Sequence, residues 1–323
     1  MQPTCRWLRM LATMAFAFAV GTAAHGSGPS QLTIIVPYPP GGLSDTLARL
    51  TGKVMAQNMG VPVIVENKPG ANGVLGLQAI AAAKPDGSVI GMVPASVLTV
   101  NPSLYKSMKV DTVSDIAPLT LAITLPNVLV VHPSVPAKSM EELIAYLRQS
   151  GDKVSYGSMG TGSSAHLNGE LLSRSAQLQI THVPYKGSAP AMQDLMAGNI
   201  QMAFENLPVA LPMIQAGKLR ALGVTSTASA ALAPDIPPIG KTLPGFEDNI
   251  WFGFIAPAGL AADTEKRLHE ELVRAIRSDE VSRVMVDRGA AITTNSPAQM
   301  RQLIAHDREK WDKLVRERNI SVE

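Results

Sequence analysis

Short apolar runs alternate with amphipathic helical segments along most of the chain, and this alternation restricts the possible folds more than any other feature. Residues 32–36 have the composition of a buried strand, and residues 46–59 carry apolar side chains at helical spacing. Strand-like runs follow at residues 63–65 and 89–93, with a second helical segment over residues 74–83 between them. Strand, helix and strand at this spacing are typical of βαβ units and a parallel sheet, so we predict an α/β fold.

A second series of strands and helices follows the first. Its predicted elements are a strand at 127–131, a helix capped by Ser139, a strand at 154–156, a helix at 164–176, and strands at 180–183, 201–204, 220–224 and 250–256. The remainder is predicted to be largely helical, over residues 264–277 and 298–318. Two series in 323 residues predict two lobes, because single cores rarely grow beyond about 250–300 residues. We place the boundaries near residues 125 and 256.

The N-terminal residues have the pattern of an export signal. Arg6 and Arg9 precede an apolar stretch of eleven residues, 10–20, and small residues follow at 22–24. This stretch is shorter than the roughly 20 residues that a membrane-spanning helix needs. We therefore predict a cleavable signal peptide over residues 1–26 and a periplasmic location, with an N-terminal membrane anchor as the alternative.

Charge and cysteine content exclude several classes of function. Without the predicted leader, Lys and Arg fall from 28 to 26 and equal the 26 Asp and Glu, so the mature chain is formally neutral. Such a chain is not expected to bind nucleic acid or an anionic membrane. The one cysteine, Cys5, lies in the leader, which leaves no thiol for a disulfide, a metal or catalysis. The histidines lack metal-ligand spacing, and we expect neither a metal nor a cofactor.

The first candidate site is the turn at residues 38–45, between a predicted strand and helix. Open α/β sheets bind ligands at such strand ends. Gly41 and Gly42 permit a close approach of a ligand to the backbone, and the helix N-terminus near Ser44 offers N–H groups and partial positive charge to an anion. The alternative is a simple tight turn in which Ser44 and Asp45 cap the helix.

The second candidate site, residues 156–166, repeats this design in the other half of the chain. Its residues 157–164 hold three glycines and four hydroxyl side chains but no Lys or Arg. Backbone N–H groups and hydroxyls can bind a carboxylate without a cation. One such turn in each lobe predicts a cleft that the two lobes share.

Two enzymatic motifs come close to these turns without matching. Neither turn has the Lys followed by Ser or Thr of a phosphate-binding P-loop. Residues 162–166 approach the Gly-x-Ser-x-Gly nucleophile elbow, but Ala165 and His166 fill its last two places. We expect no catalysis, and an exported serine hydrolase is the best enzymatic alternative.

Three of the five tyrosines, Tyr38, Tyr156 and Tyr185, adjoin these glycine-bearing turns. Tyr185 begins a third such edge with Lys186 and Gly187. Tyrosines there can wall a small cleft and hydrogen-bond a ligand, or they can simply pack on the loops.

The chain resembles the periplasmic substrate-binding proteins of tripartite tricarboxylate transporters, often called Bug proteins. The resemblance covers nearly the whole mature chain and rests on an ordered series of motifs. These are residues 36–42 (VPYPPGG) with Asp45, 65–73 (VENKPGANG), 85–87 (PDG), 156–166 (YGSMGTGSSAH), 182–187 (HVPYKG), 204–208 (FENLP), 216–222 (AGKLRAL) and 251–253 (WFG) with Ala256 and Pro257. Glu205 departs from the Asp that the family often has at this place.

This resemblance implies a two-lobed periplasmic-binding-protein (Venus flytrap) fold, in which each lobe is a sheet flanked by helices. Lobe I would comprise residues 31–124 plus 257–323 and lobe II residues 125–256. The resemblance also implies that the chain, as a monomer, captures a small di- or tricarboxylate and delivers it to a membrane permease. A ligand sensor that presents its cargo to a signalling receptor is the alternative, because the same fold serves both.

The resemblance also implies which residues contact the ligand. Together with the two turns, the expected ligand-binding residues are Tyr38, Pro39, Gly41, Gly42, Ser44, Asp45, Ser96, Ser158, Thr161, Gly162, Ser163, Ser164, His166, Tyr185, Lys186, Gly187 and Asn206. Asn206 belongs to the Asn-x-Pro segment of the family, and Ser96 lies near a further edge of the cleft in a variable stretch.

Overall fold

The computed structural model describes residues 30–150 and 153–322, which fold into two α/β lobes. The first part of the chain forms β1 (Leu32–Val36), α1 (Leu43–Met59), β2 (Val63–Asn67), α2 (Val74–Ala81), β3 (Val89–Pro94), the short helices α3 (Ala95–Thr99) and α4 (Asn101–Leu104), and the long strand β4 (Ile116–Val131).

The rest of the chain builds the second lobe and then returns to the first. The second lobe contains α5 (Met140–Ser150), β5 (Ser155–Ser158), α6 (Ser164–Ser175), β6 (Thr181–Pro184), α7 (Ser188–Ala197), β7 (Met202–Asn206), α8 (Leu207–Gln215) and β8 (Arg220–Val224). The returning part contains β9 (Asn249–Pro257), α9 (Ala262–Ile276), α10 (Asp279–Asp287), β10 (Ala291–Ile292) and α11 (Pro297–Glu317).

The strands are connected in the order β2-β1-β3-β9-β4-β7-β5-β6, and β8 and β10 also pair with β4. β1 is parallel to β2 and β3, and β5 is parallel to β6 and β7, as the βαβ pattern predicts. β4 belongs to both lobes, since it pairs with β9 as far as Pro126 and with β7 from Asn127 onward. The chain therefore crosses between the lobes inside one strand.

Four hydrophobic clusters fill the space between the sheet and the helices. In lobe I one cluster lies toward α1, α9 and α10 and another toward α2 and α3. In lobe II one lies toward α5 and α6 and another toward α7 and α8. Helix α11 bridges the lobes, because Met300 and Ile304 pack in lobe I whereas Trp311 and Leu314 pack in the α6 cluster of lobe II.

The α/β class and the two-lobed architecture agree with the prediction, but the extent of lobe II differs from it. The expected lobe II, residues 125–256, includes nearly all of β9, which the register instead pairs with β3 and with the lobe I half of β4. The end of α11, expected in lobe I, packs on lobe II. The predicted signal peptide lies outside the described residues. Among the described helices, none has both the length and the apolar character that crossing a membrane requires.

Candidate ligand-binding site

The first turn leads from β1 into α1 without a side-chain cap on the helix. Gly41 has a φ of +92°, which favours glycine, and the exposed Gly42 occupies the N-cap position. No side chain accepts a hydrogen bond from the N–H groups of the first helical turn. Those groups have no partner within a helix either, so they are free to bind an anion.

The side chain of Asp45 stabilises the first turn through hydrogen bonds. Its buried carboxylate accepts hydrogen bonds from the Gly41 N–H (3.0 Å), from the Arg49 guanidinium (3.0 Å) and from the Asn67 amide (3.0 Å). The Arg49 hydrogen bond, more than the Gly41 and Asn67 bonds, lowers the pKa of Asp45 to about 2. All these partners lie within lobe I, so the side chain positions the turn, and its contact with the ligand stays a prediction.

The second turn leads from β5 into α6 and is held by its own hydroxyls. Ser163 is the N-cap of α6, and its hydroxyl accepts from the His166 N–H (3.3 Å) and donates to the Gly160 carbonyl (2.7 Å). The Gly162 N–H donates to His166 Nδ1 (3.0 Å), and the Gly160 N–H donates to Ser158 Oγ (3.1 Å). Ser163, Ser158 and His166 therefore shape the turn, while the N–H groups of residues 164 and 165 have no partner within the helix.

A stack of rings supports the second turn. His182 contacts both other rings, with centroid distances of 5.0 Å to Tyr156 and 3.9 Å to His166, and the Tyr156 and His166 centroids are 6.4 Å apart. Burial lowers the pKa of His182 to about 4, and it also lowers the pKa of His166. Because His166 Nδ1 accepts a hydrogen bond, this ring carries its proton on Nε2, which lies 3.9 Å from Glu170 Oε1. Both imidazoles are therefore neutral at pH 7, and the second turn contains no cation.

The third glycine-bearing edge begins at Tyr185. The Tyr185 hydroxyl donates to Asp194 Oδ2 at 2.6 Å, and its ring packs against the cluster under α7. This hydroxyl has a partner inside lobe II, and its contact with a ligand stays a prediction. Lys186 is exposed, and Gly187, with a φ of +118°, is the N-cap of α7.

Ser96 and Ser164 line one cavity of about 80 Å³ between the lobes. Ala95, Ser96 and Thr99 of lobe I form one wall, and Ser164 and Leu167 of α6 form the other. The segment between the lobes contributes Asp248, Asn249 and Ile250, and α11 contributes Trp311. Tyr38 lies at the lobe I edge near Ser96, where its hydroxyl donates to the Asn72 side chain (3.2 Å). The remaining turn residues, Pro39, Gly41, Gly42, Thr161 and Gly187 among them, lie outside this cavity.

Sequence reasoning missed a group of buried polar residues beside this cavity. Asn127, Asn168, Thr225 and Asp248 are all less than a tenth exposed, and Asn206, which was predicted, adjoins them. The sequence did contain a signal, because Asn127 interrupts the apolar run of β4 directly after a proline.

The arrangement suits binding rather than catalysis. The Ser163 hydroxyl donates to a backbone carbonyl, and His166 Nδ1 accepts from a backbone N–H, so this pair lacks the nucleophile-to-base hydrogen bond of a serine hydrolase. Ser158 Oγ does lie 2.7 Å from His182 Nε2, but it also bonds both the N–H and the carbonyl of Gly160, and these bonds hold the turn. Within residues 30–150 and 153–322, no three side chains of the metal-binding types lie close enough together to hold an ion.

Comparison with known proteins places this arrangement in context. The sequence model of the tripartite tricarboxylate transporter family receptor (TctC) matches residues 47–320. Protein BugT of Bordetella pertussis is 33% identical over 309 residues, which cover 95% of this chain and 94% of BugT. A UPF0065 protein from the tcbD-tcbE intergenic region of Pseudomonas sp. strain P51 is 34% identical over 313 residues, covering 95% and 93% of the two chains.

Solved structures give the same result. The R. palustris protein Rpa4515 with adipate superposes with a TM-score of 0.76 at 30% identity, covering 90% of this chain and 98% of that one. MatC from Rhodopseudomonas palustris with bound malate gives a TM-score of 0.72 at 28% identity, covering 88% and 98%. The periplasmic binding protein BugD gives 0.73 at 28% identity, covering 90% and 98%.

Proposed function

The chain belongs to the tripartite tricarboxylate transporter receptor family, and from this membership we propose that it captures a small organic di- or tricarboxylate in its interlobe cleft and delivers it to a membrane permease. It is a periplasmic solute-binding protein of the TctC and Bug type and not an enzyme. The ligand class is supported by two relatives of similar fold, one described with adipate and one with malate.

The observation that carries the proposal is the matched pair of turns. Each lobe has a glycine-rich strand-to-helix turn, each ends at a helix N-terminus, and neither turn contains a Lys or Arg. A helix N-terminus binds anions through unpaired N–H groups and the partial charge of the helix. Two such ends suit a ligand with two acidic groups, or one carboxylate held from both sides.

The proposed delivery to a permease rests on the family's role as the receptor of a tripartite transporter. We infer that residues 1–26 direct export and that the mature protein acts as a monomer. We expect the ligand-loaded protein to retain the permease subunits in a pull-down experiment. Recovery of a signalling receptor in place of the permease would favour the sensor alternative.

A substitution at Ser163 tests the ligand site. Ser163→Asp keeps an N-cap that helices accept well, although it loses the hydrogen bond that the serine hydroxyl donates to the Gly160 carbonyl, and it places a fixed carboxylate where the ligand carboxylate would bind. We expect calorimetry with malate and adipate to show an affinity loss of at least about 100-fold, or ~2.7 kcal/mol, for whichever acid the wild type binds. Circular dichroism should show an unchanged fold.

Ser139 provides the matched control. Its hydroxyl accepts from the Glu142 N–H at the start of α5, just as the Ser163 hydroxyl accepts from His166 at the start of α6. Ser139→Asp is expected to leave the affinity within about twofold, because this helix end lies outside the cleft. Wild-type affinity in folded Ser163→Asp would show that the second turn is structural. Mass spectrometry of co-purified ligand tests the carboxylate class itself.

A further inference from the structure

Two fully buried asparagine side chains, and the buried side-chain oxygen of a third asparagine, lack hydrogen-bond partners within the protein. Asn127 and Asn168 are 0% exposed, and neither amide atom of either side chain is partnered within the protein. The Oδ1 atom of Asn206 is buried and unpartnered as well, which makes five such atoms. Buried polar atoms are nearly always hydrogen-bonded, because an unmet bond costs about 1–3 kcal/mol. These amides therefore point to a polar group that binds between them.

Two of the three amides face the same side of the sheet. Asn127 of β4 is paired in register with Asn206 of β7. Leu129, two residues beyond Asn127, and Phe204, two residues before Asn206, both pack in the cluster under α6. Side chains alternate along a strand, so the Asn127 and Asn206 amides lie on this α6 side too.

Asp248 connects this pair to the third amide and to the cavity. The Asp248 N–H donates to the Thr225 carbonyl, and the Thr225 N–H donates to the Asn127 carbonyl, each at 2.9 Å. The Asp248 carboxyl lies next to the Asn168 amide without a hydrogen bond of normal geometry, and it lines the interlobe cavity together with Ser164. Lys310 Nζ forms an ion pair with Asp248 Oδ1 at 4.0 Å, and both residues line a second cavity of about 290 Å³, whereas Lys310 does not line the interlobe cavity.

We propose that Asp248 and the amides of Asn127, Asn168 and Asn206 form a subsite for a hydrogen-bond-donating substituent, an ammonium or a hydroxyl, on the carboxylate ligand. This inference rests on the proposed function and narrows its substrate class to amino and hydroxy acids.

The balance of donors and acceptors supports this class. The subsite offers four acceptor groups, the Asp248 carboxylate and three amide oxygens, against the unpartnered amide nitrogens of Asn127 and Asn168. No Lys or Arg lines the interlobe cavity, so a second carboxylate placed there would face Asp248 without a cation of its own, since Lys310 lies outside this cavity and pairs with Asp248 itself. Ser164, at the α6 N-terminus, shares the cavity, so the donor group would lie close to the carboxylate bound there.

The ionisation of Asp248 agrees with the proposed role. Burial raises its pKa to about 6, with Asp307 and Glu247 adding to the rise and Lys310 and Asn168 opposing it. The carboxyl is therefore mostly ionised at pH 7, as contact with an ammonium requires.

Three acids with one carbon skeleton test the subsite. Succinate, L-malate and L-aspartate differ only in carrying hydrogen, hydroxyl or ammonium at C2. In calorimetry at pH 7 we expect the wild type to bind malate or aspartate at least about tenfold more tightly than succinate, the discrimination expected when buried polar groups lose their partner. Asp248→Asn should reduce this ratio toward one while succinate affinity changes little.

Asp307→Asn is the matched control, since Asp307 accepts from Trp251 Nε1 (2.7 Å) and lines the neighbouring cavity of about 290 Å³ but not the interlobe one. The ratios of its affinities, malate to succinate and aspartate to succinate, should stay at the wild-type values. Equal binding of the three acids, binding of adipate alone, or an unchanged ratio in Asp248→Asn would overturn the subsite and leave the proposed function intact. Failure of the wild type to bind any carboxylate would overturn both.

Discussion

Acidification should destabilise the protein through His182, one of the three packed rings under the second turn. The ring lies 5.0 Å from Tyr156 and 3.9 Å from His166 between centroids, and its Nε2 atom lies 2.7 Å from Ser158 Oγ. Ser158 in turn holds Gly160, so the neutral imidazole belongs to the hydrogen-bond system that shapes the turn. Protonation of His182 would also place a positive charge next to the His166 ring.

The size of the effect follows from the pKa of His182, which burial lowers from 6.5 to about 4. The unfolded chain then takes up a proton at higher pH than the folded one. The free energy of unfolding is therefore unaffected above about pH 6.5 and falls as the pH decreases from 6.5 to 4. At 1.36 kcal/mol for each pH unit, the loss reaches about 3 kcal/mol.

Denaturant unfolding of the wild type and of His182→Gln, at several pH values between 7 and 4, measures this loss. The wild type should lose about 3 kcal/mol more than His182→Gln over this range, because the carboxylates contribute alike to both proteins. His132→Gln, which changes a histidine outside the stack, should follow the wild type. Parallel curves for the wild type and His182→Gln would refute the reasoning.

Two further substitutions test how the turns are held. Gly169→Ala would place a Cβ atom 2.1 Å from the Tyr156 ring, so we expect denaturant unfolding to show a destabilisation of at least about 2 kcal/mol. At the control position, Gly60→Ala, the added atom meets nothing within 4 Å, and the left-handed backbone alone should cost about 1 kcal/mol. Arg49→Ala would leave the buried Asp45 carboxylate without its cation beside the first turn, and affinity for the bound acid should fall by about tenfold in calorimetry. Addition of Asp45→Asn to Arg49→Ala should restore part of that affinity, and no recovery would contradict the charge argument.

The sequence predicted secondary structure and turn positions well because both depend on local pattern. The strand at residues 220–224 and the end of α1 at Met59 were located to the residue, α1 begins three residues before the predicted start, and the helical segments at 264–277 and 298–318 correspond to α9 and α11 within two residues. Apolar periodicity and glycine placement are properties of neighbouring residues, so a single sequence carries them.

The directions of individual side chains were less predictable. Asp45 and Tyr185 have residue types that suit a ligand site, but the structure commits them to Arg49 and Asp194 respectively. The lobe to which β9 belongs was also missed, because an apolar run predicts a strand and not its neighbours in the sheet. Asn127 gave a sequence signal for the buried polar group, but its neighbours did not, since residues 168 and 248 approach the crossing point of β4 only in the folded chain.

The ionisable groups around the two turns show how the lobes cooperate. Asp45 is paired with Arg49, Glu170 with Arg318 at 2.5 Å, and His166 and His182 are neutral at pH 7. The attraction of these turns for an anion therefore comes from the partial positive charge of two helix N-termini, and this attraction falls off within about one helical turn. We therefore expect each helix end to attract a carboxylate mainly at short range, and we expect tight binding where both helix ends approach the same ligand. Affinity should then depend on closure of the lobes around the ligand, and reopening the cleft would release it.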